Sequence, residues 1–172
     1  MSLNIGLTGF NGWIGKNIRE SFKSTPHKIY NLDPISRGLK KIFQNEIIDL
    51  DWIFHFGAKT DIEESFDNPF EIYKNNILST LLITEYAEIT KSKLLYLSSY
   101  VYGEPQYFPI DEHHPIRPNN PYMDSKWISE QACKNISKQL GISLTIFRAF
   151  NIYGPGQKHG RLISDLCNNI KK

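Results

Sequence analysis

Cysteine is scarce in this chain, with two in all. Cys133 and Cys167 lie far apart and show no CxxC spacing, which excludes a disulfide framework and a thiolate metal site. Both fall in stretches with helical patterning and read as small buried hydrophobes. Excess charge is also lacking. A formal net charge of +2 is too small to argue for nucleic acid or an anionic membrane surface as partner. No apolar run approaches the length that crosses a bilayer. The chain enters Leu3-Asn4-Ile5-Gly6-Leu7 almost at once, with no basic n-region, so no signal peptide is expected. There is no internal repeat, no low-complexity tract and no recognisable set of metal ligands. These absences point to a reduced, cytoplasmic, single-domain protein and say nothing yet of its chemistry. What is present is ordinary for a globular fold: 172 residues, 40% hydrophobic and 22% charged. A chain of this length buries roughly two-thirds of its unfolded surface.

Strand-like and helix-like segments alternate along the chain, the pattern of a parallel α/β sheet. Asn4 to Leu7 reads as a buried strand and Ile14 to Lys23 as a helix with Ile14, Ile18 and Phe22 on one side. Strands are expected at Lys28 to Leu32, Asp51 to Phe56, Lys93 to Ser98 and Leu144 to Arg148. Helices are expected at Pro69 to Thr90 and Asp124 to Gln139. Right-handed crossovers between these strands give a doubly wound parallel sheet with helices on both faces, of Rossmann-like type. Glu104 to Pro121 holds five prolines and reads as a loop, where the active-site segments of such sheets tend to sit.

The turn after the first strand, Thr8-Gly9-Phe10-Asn11-Gly12-Trp13-Ile14-Gly15, has glycines at every third position. Gly9 permits a tight turn, Gly12 a close backbone approach to a ligand, and Gly15 close packing of helix on strand. The helix-start amides then suit a pyrophosphate, which predicts a dinucleotide site. Asp33, at the end of the second strand, can accept both ribose hydroxyls of NAD and repels the 2′-phosphate of NADP. Arg37, close by, could accommodate that phosphate, yet the carboxylate favours NAD.

Tyr122 and Lys126 stand four apart at the start of a helix, in Pro121-Tyr-Met-Asp-Ser-Lys126, and so share a face. A lysine beside a phenol lowers its pKa from about 10 and makes it a proton shuttle near neutral pH. Upstream, Leu97-Ser98-Ser99-Tyr100-Val101-Tyr102-Gly103 supplies a hydroxyl at the carboxyl edge of the sheet.

Together these motifs resemble the extended short-chain dehydrogenases/reductases, in particular the NAD-dependent nucleotide-sugar epimerase/dehydratase group. The resemblance also rests on Asp51-Trp-Ile-Phe-His55-Phe-Gly-Ala58, Asn76-Ile-Leu-Ser-Thr80 and Arg148-Ala-Phe-Asn151-Ile-Tyr-Gly-Pro-Gly156, in the family's order along almost the whole chain. It implies that Tyr122 exchanges a proton with a sugar hydroxyl during hydride transfer. Lys126 would hold the nicotinamide ribose and tune Tyr122, and Ser98 would hydrogen-bond the same sugar oxygen. Phe56, Gly57, Ala58 and Lys59 would line the cofactor groove beside the glycine turn, and Asn76 would tie the central helix to the sheet. Ser99, Tyr100 and Asn151 would face substrate. His55 and Arg148 read as structural. Homodimers would form through the helices containing Asn76 and Lys126.

Three departures shape the expected function. Ser99 and Tyr100 stand where the group's dehydratases carry an Asp-Glu pair, which favours epimerisation or plain oxidation and reduction. Between Gly38 and Asp51 there is room for little beyond a remnant strand at Ile42-Phe43 and a helical turn at Gln44 to Leu50, with Asp49 a weak substitute at the adenine. Family members continue beyond the position of Lys172 into a smaller domain that grips the nucleotide sugar. The expectation is therefore an NAD-binding domain over residues 1–172, without that C-terminal part, and weak or absent turnover by this chain alone. Three functions follow: a nucleotide-sugar epimerase or related oxidoreductase, a non-catalytic NAD-binding module or truncated relic that pairs with another subunit, or a different sugar-nucleotide reductase or a dehydrogenase of a non-sugar alcohol.

Overall fold

The computed structural model describes residues 2–33, 47–157 and 162–170. Arg37 and the Ile42-Phe43 segment lie outside them. Five parallel strands form one sheet: β1 (Asn4–Thr8), β2 (Lys28–Asn31), β3 (Trp52–His55), β4 (Lys93–Ser99) and β5 (Leu144–Ala149), in the order β2-β1-β3-β4-β5. The register pairs Leu7 with Asn31 and Phe54, and Ser98 with Arg148. The helices are α1 (Trp13–Phe22), α2 (Ile62–Asp67), α3 (Pro69–Thr90), α4 (Pro121–Leu140) and α5 (Leu162–Ile170). This is the Rossmann-like sheet expected from the sequence.

Strand alternation sets which face is filled. Ile53, Leu94 and Tyr96 point to the side of α3 and α4, where Leu32, Leu50, Ile83, Tyr86, Ala87 and Cys133 complete the core. Trp52 and Phe54 point the other way and are half-buried, while Phe147 on the edge strand is exposed. Burying a side chain of this size contributes about 1.5–3 kcal/mol, so the α3–α4 face carries most of the hydrophobic stabilisation.

Four details differ from the sequence reading. Helix α2 was not expected; Asp61 caps it by accepting from Glu64 N at 2.9 Å, an Asp-x-x-Glu signal of a helix start. Helix α4 begins at Pro121, earlier than Asp124, because Asn120 caps Met123 N at 2.8 Å and proline suits the first helical position. Residues 47–50 are irregular, so no helical turn continues to Leu50. Of the two cysteines, Cys133 is buried as expected, whereas Cys167 is exposed on α5.

Candidate active site

All five strands run the same way, so their carboxyl ends share one edge. Gly9–Gly15, Asp33, Phe56–Lys59, Ser98–Tyr100 and Asn151 lie at or just after strand ends and gather there. Asn11 and Asn151 are exposed, and Ser99 and Tyr100 are half-buried.

The glycine turn has the geometry its spacing requires. Gly9 adopts φ +71°, a conformation that costs residues with a Cβ. A Cβ on Gly15 would run into the carbonyl oxygen of Gly9, so α1 can lie against the turn only with glycine there. Gly12 donates to Gly9 O at 2.9 Å and closes the loop. Helix α1 then begins at Trp13 with no side-chain cap and no acidic residue in its first turn. The first-turn amides of Trp13, Ile14 and Gly15 have no partner in the helix's own ladder, and they present partial positive charge at the edge of the sheet. An anionic diphosphate fits this cradle.

Asp33 braces the turn: Oδ1 accepts from Gly9 N at 2.6 Å and Oδ2 from Phe10 N at 3.1 Å. Across the turn, Gly57 N donates to Thr8 Oγ1 at 2.9 Å, and a Cβ on Gly57 would come within 2.9 Å of Gly9 N. Phe56 stacks on Phe54 with ring centroids 5.8 Å apart.

A buried relay ties these loops to the helices. Thr80 Oγ1 gives its proton to Asn76 O at 2.8 Å, so at 3.0 Å it must accept from His55 Nε2–H. Nδ1 of the same ring is then the acceptor for the Thr8 hydroxyl at 2.7 Å. One tautomer of a neutral imidazole satisfies every member. Burial, helped by the nearby Lys126 charge, pushes the His55 pKa down to about 3 and keeps it neutral. His55 is thus structural, as expected. Thr8 and Thr80, its partners, had no sequence signal beyond being hydroxyls near a histidine.

Asn76 does more than tie its helix to the sheet. Its Oδ1 accepts from Lys59 N at 2.8 Å, while Nδ2 donates to Lys59 O at 3.1 Å and to Ser125 Oγ at 2.9 Å. Lys59 is thereby held from both sides of its backbone. Ser125 Oγ in turn donates to Tyr122 O at 2.7 Å, so the groove after β3 and the first turn of α4 are fixed to each other. The Lys59 ammonium pairs with Glu64 at 2.9 Å.

Helix α4 presents Tyr122 in its first turn and Lys126 one turn later on the same side. Lys126 is 3% exposed, its Nζ lying over the Tyr96 ring at 4.3 Å from the centroid. Burial pushes its pKa down to about 7, opposed by Glu130 and Cys133. Its charge near neutral pH is therefore adjustable, which the sequence did not reveal. Ser98, two residues after Tyr96 and on the same face of β4, is also 3% exposed. Its Oγ is buried with no hydrogen-bond partner among the described residues. A buried hydroxyl without a partner costs free energy in a finished structure; a substrate oxygen would satisfy this one.

Arg148 is structural, as expected. It meets the buried Glu130 at 2.6 Å and donates to Tyr102 Oη at 3.1 Å and Glu112 O at 3.3 Å, joining β5, α4 and the proline-rich loop. The Glu130 hydrogen bonds push its pKa further up. Tyr100 Oη donates to Gly103 O at 2.6 Å, and a carboxylate-free Ser99-Tyr100 pair follows Ser98.

Known proteins resemble this chain in sequence and in fold. Residues 5–172 match the model of the NAD dependent epimerase/dehydratase family. The putative UDP-glucose 4-epimerase of Methanocaldococcus jannaschii is 31% identical, over 88% of this chain and 56% of that protein. The structure of RMD from Pseudomonas aeruginosa complexed with NADPH superposes with a TM-score of 0.83 at 26% identity, covering 98% of this chain and 61% of that one. The UDP-Glc/GlcNAc 4-epimerase of Campylobacter jejuni gives 0.79 at 26%, covering 99% and 63%. The chain thus spans less than two-thirds of the length of each of these relatives. With its fold, its glycine turn and its match along nearly the full sequence, the chain belongs to the NAD dependent epimerase/dehydratase family.

Proposed function

We propose that this chain provides the NAD-binding and catalytic part of a nucleotide-sugar epimerase, or a related sugar-nucleotide oxidoreductase, with Ser98, Tyr122 and Lys126 as the reacting set. The observation that carries the reading is the Ser98 hydroxyl, buried at the carboxyl end of β4 with no hydrogen-bond partner among the described residues. It lies on the sheet face that also packs the buried Lys126. Amides of Trp13 to Gly15 would hold the pyrophosphate, Asp33 the adenosine ribose, and Phe56 to Lys59 the groove wall, with Asn76 acting through Lys59. The bound dinucleotide supplies a hydride acceptor at its nicotinamide ring.

The chain's own residues handle the proton. Tyr122, as phenolate, takes the proton of the sugar hydroxyl whose carbon is oxidised. Ser98 Oγ donates to the same oxygen and holds it in place. Lys126 favours the phenolate when charged and holds the nicotinamide ribose. Asn151 and the Ser99-Tyr100 pair face the substrate. The absence of an Asp-Glu pair after Ser98 favours epimerisation over dehydration, since loss of water needs a carboxylic acid at that point.

The exposed Phe66, Phe70, Leu78 and Ile128 on α2 to α4 support pairing of two copies through the helices containing Asn76 and Lys126. Sedimentation equilibrium that returns only monomer at micromolar concentration removes that part of the proposal. Among the described residues no helix is long and apolar enough to cross a membrane.

The test is NADH formation with UDP-, GDP- and dTDP-sugars. Tyr122→Phe should lower kcat by about 10²–10⁴-fold and leave NAD affinity within about threefold. A variant that turns over like the wild type overturns the mechanism. The partial coverage of the relatives motivates a second reading, an NAD-binding module that serves another subunit. Calorimetry separates the two: NAD binding with no heat from any nucleotide sugar supports the module.

A further inference from the structure

Trp13 links the glycine turn to a part of the chain far away in sequence. As the first residue of α1 it contributes one of the uncapped amides at the helix start. Its side chain points elsewhere: the indole Nε1–H donates to Pro155 O at 2.8 Å. Asn17, one turn along, donates to the same carbonyl at 3.4 Å and to Trp13 O at 2.9 Å. The loop after β5 lies along the ring and carries glycine on both sides of Pro155. A Cβ on Gly154 would already touch Trp13 Cζ2 at 3.5 Å, and Gly156, at φ +73°, passes 3.9 Å from Nε1 by the same measure. Beside these contacts a cleft of about 300 Å³ separates α1 from Ile152 and Tyr153. The same loop begins with Asn151, the residue assigned to the substrate side.

We infer that Trp13 is a positioning residue that couples occupancy of the glycine turn to the order of the 151–157 loop. An anion seated on the first-turn amides holds the Trp13 backbone, and the rigid indole carries that restraint to the Pro155 carbonyl. The loop bearing Asn151 is then set in place when cofactor is bound, before substrate arrives. Phenylalanine could fill the same space but has no donor for Pro155. A tryptophan N–H donates only, so the coupling runs through this one bond and is reinforced by Asn17. The inference rests on the reading of the turn as an NAD site.

Hydrogen exchange read by mass spectrometry tests it, with calorimetry run on the same samples. In the wild type, NAD should slow amide exchange in peptides covering 151–157 by about tenfold. Trp13→Phe keeps the backbone amide of the turn and, compared with wild type at saturating NAD, should lose that protection. Asn17→Ala should keep NAD binding and show reduced protection, and it decides the matter if Trp13→Phe does not fold. NAD heat in the wild type with no slowing at 151–157 overturns the coupling alone. Equal protection in wild type and a folded Trp13→Phe also overturns it. A wild type that gives no NAD heat overturns the cofactor reading, and the coupling with it.

Discussion

Two helix starts at the same edge of the sheet are built in opposite ways. Helix α4 is closed by its own chain: Asn120 accepts from Met123 N, Pro121 fills the first position, and Ser125 bonds back to Tyr122 O. Helix α1 has no side-chain cap and no acidic residue in its first turn, and a glycine stands at its cap position. A capped start has a first-turn donor already engaged and holds the turn that carries Tyr122 more firmly. An uncapped start keeps its donors for something outside the chain. The difference separates a helix that offers side chains from one that offers backbone.

The comparison breaks most sharply if α1 is given the cap it lacks. In Gly12→Asp the carboxylate can accept from the first-turn amides and places negative charge where the diphosphate is assigned. NAD affinity measured by calorimetry should fall by about a hundredfold or more, equivalent to about 2.7 kcal/mol. Unchanged affinity would show that the α1 amides are not the anion site.

A smaller effect concerns what α4 presents. Below pH 7 the folded and unfolded chains both carry the Lys126 proton, and the folded chain bears the full burial cost. Between the folded value of about 7 and the ordinary 10.5, the unfolded chain keeps the proton that the folded chain has shed. The unfolded state then binds more protons, so stability should rise with pH across this window. Lys126→Met should be more stable than wild type at pH 7, with Tm higher by on the order of 5 °C, and should flatten this part of the profile. Parallel Tm profiles for the two proteins from pH 7 to 10 would show that Lys126 is not the group responsible.

The smallest effect is removal of the cap that α4 does have. Asn120→Ala should cost about 1 kcal/mol in urea unfolding while NAD affinity stays within about twofold. If this variant loses NAD affinity as Gly12→Asp does, the division between the two helix starts fails.

Much of the fold was legible because its signals are local. The glycine spacing, the proline-rich loop and the alternation of strand and helix depend on residues close in sequence, and the expected strands lie within a residue or two of those found. Helix α2 was missed although Asp61 and Glu64 form a capping pair, because six residues are too few to show a helical period. Burial was the harder property. Two cysteines with similar surroundings in sequence end as one buried and one exposed residue, since only the packing of α3 on α4 covers Cys133.

By itself the sequence determined the turn that must be glycine, the Tyr-x-x-x-Lys pair on one helical face, and the family these motifs belong to. Each follows from backbone geometry over a few residues. Only the tertiary structure decided that Lys126 is buried, which pushes its pKa down, that Ser98 is enclosed without a partner among the described residues, and that His55 is a neutral link between Thr8 and Thr80. It also decided that Trp13 reaches Pro155. These properties depend on what elements distant in sequence place around a side chain, and desolvation and pairing are set there.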